Sequence, residues 1–445
     1  MISWELASFV CRLKFEELPG TAVRAAKLAF LDWLGLVAAG GQCPPFKMAA
    51  GVIGEQGGNP QATLLPTGEK TSCLNAALGN GVASHTVELD DVHRSSILHA
   101  GAAVIPAALA CAEMTGAGGR QLLEAIVAGY EVAVRAGEAV TPSHYYFWHT
   151  TGTCGTFGAA AAAGKLLNLK EEQMVWALGN AGTQAAGLWE FLADGAMSKH
   201  LHPGKAAQNG TLAALLAARG FTGATRILEG ERGFCRATAP QFDLNKLTAG
   251  LGRPPYKVEE NSFKVHASCR HTHPALDVVL DLVGQNEIAL SDVENITVYT
   301  YATALNLTAS YDPQSVYAAK FSLPFCVALA LKEGSCGLAS FNPKTLADPE
   351  IRGLMPRIKL VLDSEMEKKH LALWPSAVEI TTRSGRVFLG RTDFPKGDPE
   401  NPLTDEELSA KFLALALEPW GRERVEFLKD AVFELEKVLN VRALF

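Results

Sequence analysis

What this chain of 445 residues lacks already narrows its class. No run reaches the ~20 consecutive apolar residues that a helix needs to cross a bilayer, and the longest apolar stretches, 100–112 and 156–168, are mostly alanine. No cationic excess exists either. The 40 Lys and Arg face 47 Asp and Glu, a formal net charge of −7, so nothing provides a basic field for nucleic acid or an anionic membrane. An anionic ligand must be drawn by a local pocket against the sign of the whole. The nine cysteines are scattered, odd in number and never in C-x-x-C spacing, which argues for reduced thiols and against a disulfide frame or zinc ribbon. G-x-G-x-x-G is absent. The nearest thing to a phosphate loop, Gly158 to Lys165, is one residue too long and has Leu166 where Ser or Thr is needed, so no motif speaks for a nucleotide. The segment MISWELASFVCRLKFEELP has acids where a secretory leader would be basic and then apolar; it is read as a helix of the fold, and a cytoplasmic home is expected.

What is present is helix, then a change of pattern. Residues 5–18, 21–39, 71–87, 101–114, 119–139, 153–167, 171–191 and 205–219 carry apolar positions three and four apart, with short Gly, Pro and Asn punctuation between them. Alanine and glycine crowd these segments, so helix axes can approach closely and the layers are expected to be helix on helix. After about residue 255 come β-rich runs at 294–301, 357–363, 377–385 and 386–394, with Ser384 and Gly385 marking a hairpin, and helical candidates at 273–284, 313–332 and 343–355. Helix returns at 404–414 and 420–440, opened by Thr404 and Glu407 in capping-box spacing. The expected fold is mainly α with a smaller α+β domain: an all-helical domain from both chain ends, 1–255 completed by 403–445, and an inserted α+β domain, 256–402.

Five polar constellations stand out of these small-residue surroundings. In SKHLHPGKAAQNG, Lys199, His200, His202 and Lys205 lie within seven positions, and Pro203 and Gly204 are read as ending whatever precedes a helix from Lys205, whose N-terminal amides would favour an anion. The plain alternative is a solvated helix cap. Glu88, Asp90, Asp91 and His93, followed by His99, could orient a base or bind a divalent ion; without a second compact ligand group of the H-E-x-x-H kind, no metal is expected, and the bland account is a polar loop capping the next helix. His149 stands between aromatics and the Thr/Gly-rich start TTGTCGTFG, where exposed amides and a small-residue floor would admit a substrate. Lys264, His266, Arg270, His271 and His273 precede another helix. Lys320 and Ser322 open a fifth, where a helix start facing its own domain is the simpler account.

The chain resembles the MmgE/PrpD family, which includes 2-methylcitrate dehydratase, cis-aconitate decarboxylase and iminodisuccinate epimerase. The matching residues are LDWLGLVAAG (31–40), the acidic box from Glu88 to Asp91 with His99-x-Gly-Ala, HTTGTCGTFGAAAAAGKLLNL (149–169), SKHLHPGKAAQNG (198–210), FKVHASCRHTH (263–273), AKFSLPFCVALAL (319–331) and FPKGDPENPLTDEEL (394–408). They run through almost the full length in the family's order. The resemblance implies a helical domain from both ends, a lid-like α+β domain, a homodimer and cofactor-free chemistry, with pocket positions at Asp91, His99, His149, Lys199 and Lys264. Three departures stand out: Val92 where a small hydroxylic residue is usual, Ala100 in place of the proline of His-Pro-Gly-Ala, and Phe325 at the place of a pocket tyrosine in decarboxylase-type members.

Such chemistry needs these residue types. Removing a proton beside a carboxylate piles negative charge on an anion, and cations must absorb it. Lys199, Lys264 and His202 are expected to hold carboxylates, with Glu88, Lys205, His273 and Ser322 as further substrate-binding candidates. His99 and His149 are expected to share proton transfer, worth roughly 10² to 10⁴ in rate, with Asp91 orienting one of them. The expectation is a cofactor-independent, metal-independent lyase on a small di- or tricarboxylate, first of all dehydration of a 2-methylcitrate-like hydroxy acid. Epimerisation of an iminodisuccinate-like acid and decarboxylation are the rivals within the family. A catalytically silent helical dimer that binds carboxylates is the rival outside it.

Overall fold

In the computed structural model, which describes residues 1–286, 288–370 and 372–445, the small-residue segments form closely packed helices. The chain divides into two compact units, Met1–Asn261 with Thr404–Phe445, and Ser262–Leu403. The first unit contains α1 (Ile2–Arg12), α2 (Gly20–Gly40), α3 (Pro44–Gln56), a short antiparallel hairpin of β1 (Ala62–Leu64) and β2 (Glu69–Thr71), α4 (Cys73–His85), α5 (Ala100–Thr115), α6 (Gly119–Val140), α7 (Thr150–Leu166), α8 (Glu171–Gly182) and α9 (Ser198–Ala218). α7 is the hub. It is buried on every side except near Lys165, as its all-round apolar and small composition requires, and it packs against α5, α6, α8 and α9. α4 crosses α9 where two glycines meet: a Cβ on Gly81 would lie 2.8 Å from the Gly204 Cα. That contact sets the distance between the C-terminal end of α4 and the N-terminal end of α9.

Two expectations in this unit are corrected. Pro203 does not end a helix; α9 starts at Ser198 and carries Pro203 within it, so Lys199, His200 and His202 belong to its first turns. The missing N–H of Pro203 takes away one bond near the helix start, a loss the close packing of Gly204 on α4 tolerates. α8 stops at Gly182 instead of reaching 191. Beyond it Gly187, at φ +146°, takes a backbone conformation closed to other residues and lies against the His202 ring.

In the second unit, α10 (His273–Asn286) and α11 (Leu323–Glu333) accompany a four-stranded mixed sheet of β3 (Val293–Thr300), β4 (Ile358–Leu362), β5 (Ser376–Thr382) and β6 (Val387–Thr392), in the order β4-β3-β5-β6. β3 and β4 run parallel; β3 with β5, and β5 with β6, are antiparallel. Ile296 sits opposite both Ile358 and Ile380, and Val298 opposite Leu360 and Val378, so one face is apolar and period two is kept along β5. α10 covers β5 and β6, with Val278 and Leu282 against Gly390. All four strand expectations are met, and Gly385, at φ +82°, makes the hairpin turn. The single helix expected over 313–332 is instead split, with Ser322 capping α11. The first unit is completed by α12 (Asp405–Trp420) and α13 (Arg422–Phe433). α12 opens with the expected capping box: Thr404 Oγ1 accepts from the Glu407 N–H at 3.1 Å and the Glu407 carboxylate from the Thr404 N–H at 2.8 Å. It lies along α2, and its Lys411 ammonium reaches Asp32 at 2.7 Å and the Leu89 carbonyl at 2.8 Å. Among the described residues no helix is long and apolar enough to cross a membrane.

Candidate active site

Three helix N-termini and one C-terminus of the first unit bring imidazoles together. His99 precedes α5 and His149 precedes α7, each at the cap position yet with its side chain unused for capping. His200 and His202 lie in the first turns of α9, and His85 ends α4. Ring centroids are 5.1 Å apart for His85 and His99, 5.6 Å for His85 and His149, 6.2 Å for His85 and His200, 6.3 Å for His99 and His149, and 5.3 Å for His149 and His202. Helix dipoles at the N-termini of α7 and α9 make this a place that favours an anion, while at α5 the Asp91 carboxylate already accepts from the Gly101 N–H.

Charges at the site are balanced locally. Lys199 and Glu88, both buried, pair at 2.5 Å. Glu88 holds φ +60°, a left-handed conformation costly for a side-chain-bearing residue, in the turn that leads α4 into the acidic box. Glu88 is thus the counter-ion of Lys199 before it is anything to a substrate. Asp90 and Asp91 have different partners. Asp90 Oδ2 lies 2.5 Å from His85 Nδ1 and 3.1 Å from His99 Nδ1. The Asp91 carboxylate instead accepts from the Gly101 N–H at 3.1 Å, the Tyr130 hydroxyl at 2.5 Å and the Asn261 amide at 2.8 Å. Its side chain therefore ties the start of α5 to α6. Only its backbone carbonyl, 2.6 Å from His99 Nδ1, touches an imidazole. Of the two acids, Asp90 and not Asp91 turns its carboxylate to the imidazoles of His85 and His99.

Burial lowers the imidazoles of His149, His85, His200 and His202. His149 is held well below the usual imidazole range, first by burial and then by the positive potential of His202, His85, Lys199 and His99. His85 is lowered by burial against the pull of Asp90. Burial likewise takes His200 down to about 3 and His202 to about 4. His149 Nδ1 and His202 Nδ1 are 3.1 Å apart, so one donates to the other and their tautomers are linked. Trp189 and Phe191, from the segment after α8, flank these two rings at 5.1 and 5.7 Å, and the buried Trp189 indole N–H has no hydrogen-bond partner.

The remaining expected residues have partners of their own. Lys205 is exposed on α9 and donates to Gln208 at 2.7 Å, the solvated face of a helix. Lys264, His273 and Ser322 belong to the second unit. There His273 Nδ1 accepts from Arg270 at 2.9 Å, and its imidazole is held well below the usual range by burial and then by the charge of Arg270, His266 and Lys264. Ser322 Oγ accepts from the Phe325 N–H at 3.1 Å and donates to the Ser310 carbonyl at 2.5 Å, so it is a cap. Phe325 is buried, 6.2 Å from the Phe341 ring. Among the described residues two groups have ligand atoms close enough for one divalent ion, His85, Asp90 and His99, and His93, Glu138 and Glu260. In the first, Asp90 already receives both imidazole donors. In the second, Lys257 sits 3.2 and 2.7 Å from the two carboxylates, with its own charge where an ion would go.

Residues 4–247 match the MmgE/PrpD N-terminal domain and residues 266–435 the MmgE/PrpD C-terminal domain. The chain belongs to the MmgE/PrpD family. Within it, the chain is 28% identical over 477 residues to a cis-aconitate decarboxylase of Aspergillus terreus, covering 100% of this chain and 95% of that protein. It is 27% identical over 469 residues to the cis-aconitate decarboxylase-like protein oryM of Aspergillus oryzae, with 100% and 96% covered. The Homo sapiens cis-aconitate decarboxylase is 26% identical over 469 residues, with 100% and 93% covered.

His85 and Trp189 are not singled out by the sequence, whereas Asp90 and His200 stand in its polar constellations without a role of their own. His85 had a signal, a histidine three positions before the acidic box and at the end of a helix. Trp189 had none, because its segment reads as a continuation of α8.

Proposed function

We propose that this MmgE/PrpD protein is a lyase acting on a small di- or tricarboxylate. Substrate carboxylates are drawn to the N-termini of α7 and α9 and to Lys199, and His99 and His149 exchange a proton with the carbon next to a carboxylate. The observation that carries this is the convergence of His99 and His149, 6.3 Å apart, at two helix N-termini whose capping role neither side chain fills. Both are suited to proton transfer. Burial holds the His149 imidazole well below its usual range, and an entering polyanion supplies the negative charge that lets it hold a proton.

The end-to-end likeness to cis-aconitate decarboxylases makes decarboxylation of a cis-aconitate-like acid the first reaction to assay. There the carbon–carbon bond to one carboxylate breaks, carbon dioxide leaves, and the electron pair left on carbon takes a proton from an imidazolium. Dehydration of a 2-methylcitrate-like hydroxy acid, in which an imidazole takes the α-proton and hydroxide leaves with a proton from the second group, is the alternative. Phe325 favours it, having no phenol to offer as the acid. Lys264 is proposed as a carboxylate ligand, and a homodimer as the working assembly.

Incubation of each acid in deuterated water, followed by carbon-13 NMR, tests the reading. Deuterium on the product carbon together with released carbon dioxide supports decarboxylation, and a new conjugated double bond supports dehydration. No exchange and no product across a panel of di- and tricarboxylates would leave a protein that only binds them and would end the lyase reading. Lys264→Ala is expected to raise KM and lower kcat together; unchanged kinetics would remove Lys264 from the site.

A further inference from the structure

His85 has no place in the proton transfer described above, yet it is the ring around which the cluster is arranged. It is fully buried, and the rings of His99, His149 and His200 surround it at 5.1, 5.6 and 6.2 Å. Its backbone is also engaged, by a hydrogen bond from His200. Its Nδ1 shares one oxygen of Asp90 with His99 Nδ1, at 2.5 and 3.1 Å.

The proton positions follow from the partners. A backbone carbonyl can only accept, and the Asp91 carbonyl lies 2.6 Å from His99 Nδ1, so with the ring held in this position that nitrogen carries the hydrogen. In neutral His99 the lone pair is therefore on Nε2, the atom left for substrate. The same hydrogen points between the Asp91 carbonyl and Asp90, whose charge stabilises the imidazolium formed when Nε2 takes a proton, as a carboxylate does behind a catalytic histidine. Asp90 can do this only while it stays ionised and aimed at His99. Its second N–H donor is His85. The remaining nitrogen, His85 Nε2, is buried without a hydrogen-bond partner among the described residues, which leaves Nδ1 as the atom through which this side chain acts.

We propose that His85 is a positioning residue for His99: its Nδ1–H holds Asp90 in place, and Asp90 in turn fixes the tautomer and orientation in which His99 presents Nε2 to substrate. The proposal rests on the reading of His99 as a proton-transfer group for its kinetic consequence, and on geometry alone for its structural one. Burial that keeps His85 neutral supports it, because a neutral imidazole with its hydrogen on Nδ1 donates to the carboxylate without cancelling its charge.

The experiment compares full-length His85→Ala, His85→Asn and His85→Gln with the unsubstituted protein, each labelled with [15N]histidine. The His99 signals are assigned by their loss in His99→Gln. An asparagine amide falls near the imidazole Nδ1 position and keeps a donor for Asp90; a glutamine amide falls near Nε2 and does not. The unsubstituted protein and His85→Asn are expected to show His99 with a protonated Nδ1 and an unprotonated Nε2, and His85→Ala and His85→Gln a mixture of tautomers. On the substrate found by the assay above, kcat is expected to fall about tenfold to hundredfold in His85→Ala and His85→Gln, with KM within about threefold and most of kcat regained in His85→Asn. The same His99 tautomer in all four proteins would overturn the proposal, as would equal losses of kcat in His85→Asn and His85→Gln. If His85→Ala does not fold, the Asn and Gln pair decides. If no acid is turned over, the lyase reading fails separately, and the nitrogen spectra still decide whether His85 controls His99.

Discussion

In the first unit one carboxylate oxygen, on Asp90, serves two imidazoles, and His149 and His202 lean on each other with no acid between them. In the second unit each of two basic groups has its own acid. Arg270 meets Asp398 at 2.5 Å, both almost fully buried, and His266 meets Asp277 at 2.8 Å. Asp277 also accepts from the Lys396 N–H at 2.6 Å, and Arg270 donates to the Lys396 carbonyl at 3.0 Å. That network fastens the start of α10 to the loop around residues 394–401. As sequence the two stretches look alike, dense in histidine and just ahead of a helix. They differ in pairing: a basic group closed off by its own carboxylate holds the fold, and imidazoles that share one are left able to respond to an anion.

The contrast breaks first under substitution. His149→Gln and His99→Gln are each expected to cut kcat by about 10² to 10⁴ with the unfolding midpoint little changed, measured by steady-state kinetics and thermal denaturation. His266→Gln is expected to do the reverse, lowering the midpoint and leaving kcat within a few-fold. Equal kinetic losses in all three would erase the distinction. Arg270→Ala removes the guanidinium from the buried Asp398 carboxylate, and is expected to lower stability by about 3 to 5 kcal/mol, read from urea unfolding followed in the second unit. A loss under about 1 kcal/mol would show the pair to be dispensable.

Acidification sharpens the comparison at intermediate size. His144 and His202, lowered to about 4, and His200, lowered to about 3, stay neutral in the native state below the ~6.5 at which the unfolded chain takes up protons. The unfolded state then binds more protons, so the stability these groups contribute is whole above about pH 6.5 and is lost as the pH falls toward 4, by about 1.4 kcal/mol per group and pH unit at most. The first unit holds His85 and His149 of the same kind, and the second holds His273 and His370. Hydrogen exchange is expected to show amides of the first unit losing protection earlier on acidification; simultaneous loss in both units would contradict this. The smallest effect is Thr404→Ala, which removes one half of the α12 capping box and is expected to cost about 1 kcal/mol with no change in kcat, since it acts on the fold alone.

Much of this was legible before any coordinates. Apolar periodicity located α2, α4, α5, α6 and α7 to within a few residues but missed α3 and misplaced an end of α8 and of α9, β-branched runs located all four strands of the second unit, and Thr404 with Glu407 announced α12. What failed did so for physical reasons. Pro203 was read as a break, because a proline's missing N–H ordinarily ends a helix, yet the Gly204 contact with α4 carries α9 through it. Asp91 was preferred to Asp90 as the orienting acid, although adjacent residues can face opposite ways, and which of them meets an imidazole depends on the turn through Glu88. Lys205 was counted with Lys199, but six positions along a helix put it on the exposed face.

The sequence by itself determined the classes of element, the family and the kinds of side chain at work, because periodicity, capping and residue chemistry are local properties. Only the tertiary structure decided which histidines meet, which acid each one faces, and which cations are already neutralised. Those are distances between residues far apart in the chain, set here by glycine contacts between helices, and no local pattern encodes them.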